Sequence, residues 1–311
     1  MRVVVLGASQ QNPPDSWRDD LALGCRELGW ETVTLPARGI PTGLVERACR
    51  GADMLIWARM HGHDPAGDAT AMLRRIEERG TATVGLHLDL YWTLRGREPR
   101  VGNQPWWTSQ FVFTADGGPE SAARFAERGV NHHWCPPPVG VRWLGRAELN
   151  SRYAGQVVFV GGYVAGIHGE HRKRLLEWAR RRFGRRFRWY GRPGDRVVGD
   201  ELSVLYASAH AVIGDSAPAP YYWSDRVPRT LGRAGLLAHP LTPGLDEVGL
   251  SDDLMIRYER FNFDELGDRI DSLTEKERRE MTDRALTVIA ERHTWPVRLR
   301  EIKEIVFGAD V

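Results

Sequence analysis

Tyr221-Tyr-Trp-Ser-Asp-Arg-Val-Pro-Arg-Thr-Leu-Gly-Arg-Ala-Gly-Leu-Leu-Ala-His-Pro240 is the stretch on which the reading of this chain turns. Ser224-Asp225 reads as an N-cap, because short oxygen-bearing side chains can satisfy the first free N–H groups of a helix. A short helix is predicted over 225–233, with Pro228 near its first turn, where a missing N–H costs little. Gly235 ends it, and Leu236-Leu237-Ala238 reads as a buried strand. A helix start carrying Ser224, Arg226, Arg229 and Thr230 combines N–H groups, a favourable dipole and fixed cations, which suits a phosphate or diphosphate. An ordinary αβ unit with a solvated arginine face fits the same pattern equally well.

Outward from that stretch, strands and helices alternate. Upstream, strands are predicted at 157–160, 187–190 and 211–213, with helices running up to Phe183 and over 201–207. Downstream, 254–256 is a last short strand, and 263–273, 275–289 and 296–306 are helical. The first half shows strands at 3–6, 32–35, 54–57, 83–86 and 111–113, with helices ending at Gly29 and spanning 44–50, 69–79 and 119–128. Apolar strands joined by helices predict an α/β chain with two parallel, doubly wound, Rossmann-like sheets. Pro136-Pro137-Pro138 can continue neither a helix nor a ladder, so the domain boundary falls at or soon after it. The expected division is 1–145, 146–292 and a helical tail over 293–311.

Bulk numbers agree with that division. A chain of 311 residues, 42% hydrophobic, is long enough for two cores. A net charge of +2 excludes a polycation, although only three of the 43 basic residues are lysine. Three cysteines without metal spacing point to a reduced compartment. The N-terminus reads as a strand rather than a signal segment, and no run approaches the ~18 apolar residues of a membrane span. The expectation is a cytoplasmic protein.

Several stretches carry candidate chemistry. Gly161-Gly162 follows a strand directly and lets backbone approach a phosphate, or simply makes a tight turn. His87 and Asp89 follow the fourth strand; Asp89 is the first choice for a general base and His87 the second, while a turn-capping Asp89 explains the same residue. His61-Gly-His63-Asp64 offers metal-ligand types without a distant fourth ligand, so an acceptor-lining loop with His61 is preferred to a metal. Trp106-Trp107 is read as a stacking surface for an acceptor, with two packed core tryptophans as the alternative. Residues 171–196 hold eleven lysines and arginines against Glu177 and Asp195, a solvated helix face or a track for nucleic acid.

The quoted stretch resembles the nucleotide-sugar segment of two-domain GT-B glycosyltransferases. It is most similar to the branch of spore-maturation-type and phage-encoded enzymes related to families 1 and 4. Arg226, Val227, Thr230, Leu231, Gly232, Arg233 and Gly235 match that family's run, as do Val157-Val-Phe-Val-Gly-Gly162 and His293-Thr-Trp-Pro-Val-Arg298. Arg229 stands where the family has a ribose-binding glutamate. The resemblance covers about 150–311, and the first half only by architecture. It implies a final helix crossing back to the first domain and a UDP-sugar or other nucleotide-sugar donor, with no required cofactor or metal. The implied donor contacts are Gly161, Gly162, Tyr190, Gly191, Ser224, Arg226, Arg229 and Thr230. The segment from Trp189 to Pro193 would lie near the base. The acceptor is a hydroxyl compound lined by His61, Trp106 and Trp107, with a hydroxymethylated base in phage DNA as its most specific version. Rival readings are a non-catalytic nucleotide- or nucleic-acid-binding protein on the same scaffold, favoured by Arg229, and a sugar-phosphate epimerase.

Overall fold

The computed structural model describes residues 1–8, 16–59, 64–92, 94, 96–191 and 194–308. The chain forms two compact units: Met1–Pro136 together with Thr294–Val311, and Pro137–His293. Each is built on a parallel sheet with helices. His61 lies outside the described residues.

The first unit contains β1 (Arg2–Gly7), β2 (Glu31–Pro36), β3 (Met54–Ala58), β4 (Ala82–His87), β5 (Phe111–Thr114) and β6 (His132–Trp134) in the order β2-β1-β3-β4-β5-β6. Val3 to Leu6 and Met54 to Trp57 are fully buried, because helices cover both faces of these central strands. One face packs on α2 (Thr42–Ala48) and α3 (Ala69–Glu77). The other packs on α1 (Trp17–Glu27) and the C-terminal helix (Trp295–Phe307), through Leu21, Cys25, Trp295, Leu299 and Ile302. Buried Arg298 on that last helix donates to the Pro136 carbonyl at 3.0 Å and pairs with Glu301 at 2.7 Å. Strand β6 is absent from the sequence expectation, since His132-His-Trp134 has no apolar run; α4 (Gly118–Glu127) precedes it.

The second unit orders its strands β11-β10-β9-β7-β8, where β7 is Val157–Val160, β8 Phe187–Tyr190, β9 Ala211–Ile213, β10 Leu237–Pro240 and β11 Ile256–Tyr258. All pairs are parallel. Helices α5 (Ala165–Phe183) and α8 (Phe263–Ser272) cover one face, around Phe159, Leu175, Trp178 and Leu266. Helix α6 (Gly199–Ser208) covers the other with Tyr153, Tyr190 and Leu205. Helix α7 spans Arg226–Leu231, shorter than expected, and β10 and β11 each start later than the sequence suggests. A reciprocal capping box between Thr274 and Glu277 fixes the start of α9 (Glu275–Arg292). The C-terminal helix is α10. No helix among the described residues is long and apolar enough to cross a membrane.

Candidate functional site

In the second unit the strand order reverses between β7 and β9. A crevice opens at such a reversal, outside the carboxyl ends of the strands, where α/β folds bind ligands. Arg226 lies across this point. Its Nε donates to the Val160 carbonyl at 3.0 Å and its Nη1 to the Asp215 carbonyl at 2.8 Å, tying the end of β7 to the end of β9. Arg172 adds a second clamp: Nε and Nη2 meet Asp215 Oδ1 at 2.7 and 2.6 Å, and Nη1 reaches the Gly162 carbonyl at 2.8 Å. Both guanidinium groups lie over the Phe159 ring, at 5.4 and 4.9 Å.

Asp215 is the counter-charge of the cluster and is 1% exposed. Burial alone would raise its pKa, but the His171 hydrogen bond, the Arg172 charge and hydrogen bond, and the Arg226 charge hold the carboxyl well below the usual range. His171 Nδ1 faces Asp215 Oδ2 at 3.5 Å, and Arg260 donates to the Ser216 carbonyl at 3.4 Å. Three arginines therefore meet around one carboxylate, which leaves the strand ends electropositive.

Two glycines keep side chains out of this region. Gly161 has φ 140°, and a Cβ there would lie 2.5 Å from Arg226 Nη2. Gly191 has φ 119°, and its Cβ would lie 2.8 Å from the Gly161 carbonyl carbon and oxygen. The turn is held by Gly161 N–H donating to the Tyr190 carbonyl and by Trp189 Nε1 donating to the Gly161 carbonyl, both at 2.8 Å.

The other expected donor residues separate. The Ser224 hydroxyl, just before α7, is buried and has no partner among the described residues. Arg229 pairs with Asp225 at 3.3 Å. Thr230 is fully buried and faces Tyr206, so it belongs to the packing of α7 rather than to a ligand surface. The Tyr190 side chain points to the α6 face, where its hydroxyl donates to Gln156 at 3.0 Å; only its backbone carbonyl joins the turn. Arg172, Asp215, His171 and Arg260 were missed by sequence reasoning. Asp215 had the same signal as Gly161, a short polar turn directly after a strand, and Arg172 and His171 were absorbed into the basic run.

The first unit carries a second polar edge. Asp89 accepts from Leu90 N–H at 3.0 Å and pairs with Arg97 Nη1 at 2.7 Å, which also donates to the Leu90 carbonyl. Asp89 is partly exposed, its side chain 34% accessible. His87 is buried, its Nδ1 donating to the Arg59 carbonyl at 2.7 Å, so it supports this edge and is not placed as a base. Buried Arg59 grips Asp64 with two hydrogen bonds, at 2.8 and 3.1 Å, and reaches Tyr91 Oη at 3.4 Å. Trp106 and Trp107 correct the sequence reading. They are 0% and 3% exposed, with rings 3.9 Å apart in the core beside Tyr91 and Phe125, and offer no stacking surface.

Residues 171–304 match the family model described as glycosyl transferase-like. Among solved structures, HepE of Anabaena in complex with UDP superposes with a TM-score of 0.62 at 10% identity, over 99% of this chain and 100% of that one. AviGT4, a glycosyltransferase of avilamycin A biosynthesis, gives 0.56 at 18% identity over 99% and 98%. A putative UDP-N-acetylglucosamine 2-epimerase from Listeria monocytogenes gives 0.57 at 9% over 99% and 97%. No curated protein matches in sequence. The chain has the two-sheet fold of these GT-B proteins, and its second half is similar to the glycosyl transferase-like family. The family match begins at His171 and so takes in Arg172, Asp215 and Arg226, but does not include the Gly161-Gly162 turn.

Proposed function

We propose that the protein transfers a sugar from a nucleoside-diphosphate donor to a hydroxyl acceptor. The observation that carries this reading is Arg226 bridging the ends of β7 and β9 beside the bare Gly161 and Gly191 backbone. A leaving diphosphate gains charge as the sugar departs, and fixed cations aimed at that charge stabilise the transition state more than the ground state. Arg226 and Arg172 supply the cations, Gly161 and Gly162 the close approach, and the Ser224 hydroxyl a further donor. The UDP and UDP-glucose complexes of HepE support a UDP-sugar as the donor class.

In the reaction the acceptor hydroxyl gives its proton to Asp89, its oxygen bonds to the anomeric carbon, and the bond from that carbon to the diphosphate breaks. Arg97 pairs with the Asp89 carboxylate at 2.7 Å and so holds the proposed base in place. The narrower version, a hydroxymethylated base in DNA, draws on the exposed Arg180, Arg181, Arg185 and Arg188 of the basic run. An epimerase reading draws on the Listeria likeness and differs in releasing free sugar without an acceptor.

The test is a thermal-shift screen against UDP, GDP, CDP, ADP and TDP and their sugar conjugates. A ligand at about 100 times its Kd adds about 2.7 kcal/mol of stability. One nucleotide standing out, followed by transfer to an acceptor, supports the proposal. No response to any nucleotide sinks it, and turnover to free sugar without acceptor moves it to the epimerase.

A further inference from the structure

Asp116 lies just past β5 and is 1% exposed. Its carboxylate accepts from Tyr91 N–H at 2.9 and 3.0 Å, from Trp92 N–H at 2.8 Å and from the Thr114 hydroxyl at 3.2 Å. The same hydroxyl is 2.9 Å from His132 Nε2 on β6. One unbroken hydrogen-bonded chain thus runs from His132 through Thr114 and Asp116 to the amides that follow Asp89. The transfer step described above uses none of these groups.

We propose that His132, Thr114 and Asp116 form a proton relay that sets how firmly the Asp89 loop is held, with Asp116 as a positioning residue. With Asp116 ionised, His132 Nε2–H donates to Thr114 Oγ1 and Thr114 donates to Asp116, leaving His132 Nδ1 bare. Uptake of one proton at His132 Nδ1 passes the Nε2 proton to Thr114 and the Thr114 proton to Asp116. Now Asp116 donates to Thr114, and Thr114 donates to His132 Nε2. The links from His132 Nε2 to Thr114 and from Thr114 to Asp116 are kept in both states, so the relay has two hydrogen-bonded arrangements. The carboxylate holds the Tyr91 and Trp92 amides through charge-assisted bonds; the neutral acid holds them more weakly.

The surrounding groups suit the exchange. Burial raises the Asp116 carboxyl to about 7, with Asp89 pushing the same way against the donors from Trp92, Tyr91 and Thr114. Burial, and then His133, lowers His132 to about 3, so its ring passes a proton without keeping it. Arg59 acts on Tyr91, Arg97 on Asp89, and Arg124 and Arg128 lie over Trp92 at 5.6 and 5.9 Å.

The effect on transfer rests on the reading of Asp89 as base, but the relay has its own readout. Nitrogen NMR of the histidine rings, from about pH 5 to about pH 9, follows the His132 tautomer. In the wild type the proton is expected to move from Nε2 to Nδ1 as pH falls through about 7. Transfer is expected to fall about tenfold or more with the same midpoint, as the base is misplaced. Asp116→Asn fixes the low-pH arrangement, with its amide donating to Thr114, and loses both transitions. Asp89→Asn lowers the tautomer midpoint by removing the repulsion. A His132 tautomer that does not change with pH overturns the relay, as does an Asp116→Asn variant with the wild-type pH profile. If Asp89→Asn transfers normally while the His132 transition persists, the base reading fails and the relay stands.

Discussion

Arg226 donates to the backbone carbonyl of Asp215 at 2.8 Å while its guanidinium lies 3.9 Å from the same residue's carboxylate. One side chain therefore positions the turn after β9 and shares its charge. Because Nε also holds the Val160 carbonyl, Arg226 has structural and electrostatic duties at once. Arg226→Lys keeps the charge but has no planar fork to span two carbonyls. Both Arg226→Lys and Arg226→Ala are expected to weaken nucleotide binding, Ala by about 2 kcal/mol or more for the loss of charge-assisted bonds. Calorimetric titration with the responding nucleotide checks this; unchanged affinity in the alanine variant removes Arg226 from the donor site.

Asp215→Asn addresses the buried cluster. Removing the carboxylate leaves Arg172 buried without its counter-charge, which costs about 3–5 kcal/mol. The sign of the pH dependence follows from the depressed folded pKa. Asp215 contributes stability that is complete above the ordinary carboxylate value of 3.8 and is lost as pH falls from there toward the depressed folded value. The gap in melting temperature between wild type and variant should narrow in acid. A gap that stays constant down to about pH 3 contradicts the assignment.

Gly161→Ala and Gly191→Ala test whether the turn must be bare. Each puts a Cβ on a backbone with φ between 119° and 140° and within 2.8 Å of a neighbour. Strain of about 1–3 kcal/mol is expected from the backbone alone, and the clash adds to it. Urea unfolding measures the loss. Gly162→Ala, whose Cβ meets nothing within 4 Å, is the control and should be nearly neutral.

Much of the fold was legible because the core strands are apolar throughout and glycines mark the helix ends. What escaped has physical reasons. Strand β6 pairs in parallel with β5, but His132-His-Trp134 has no apolar run that distinguishes it from a loop. Trp106 and Trp107 looked like a binding surface because polar residues flank them, but a short helical turn over Pro105–Thr108 folds both inward. The glycine turn at the end of β7 was readable from its sequence, whereas Asp215, Arg172 and His171 come from separate elements and meet only in the folded unit. Trp106→Ala is expected to cost about 3–5 kcal/mol in stability, as a large core truncation. An acceptor specificity change in a variant that folds normally would return Trp106 to the binding surface.

Asp89 decides whether the first unit supplies the base. Its carboxylate is partly exposed, paired with Arg97 at 2.7 Å and fixed by its own turn at Leu90 N–H. A turn cap and a base make different demands on the side chain. Asparagine can still accept from Leu90 N–H, so Asp89→Asn keeps the turn but cannot take a proton. If Asp89 only caps, Asp89→Asn transfers at the wild-type rate. If it is the base, kcat falls by about 10²–10⁴-fold while donor affinity is unchanged, since the donor residues lie in the other unit. Arg97→Ala separates the two further: losing the ion pair leaves the carboxylate unheld, which lowers kcat if Asp89 is the base and leaves kcat unchanged if Asp89 only caps the Leu90 N–H.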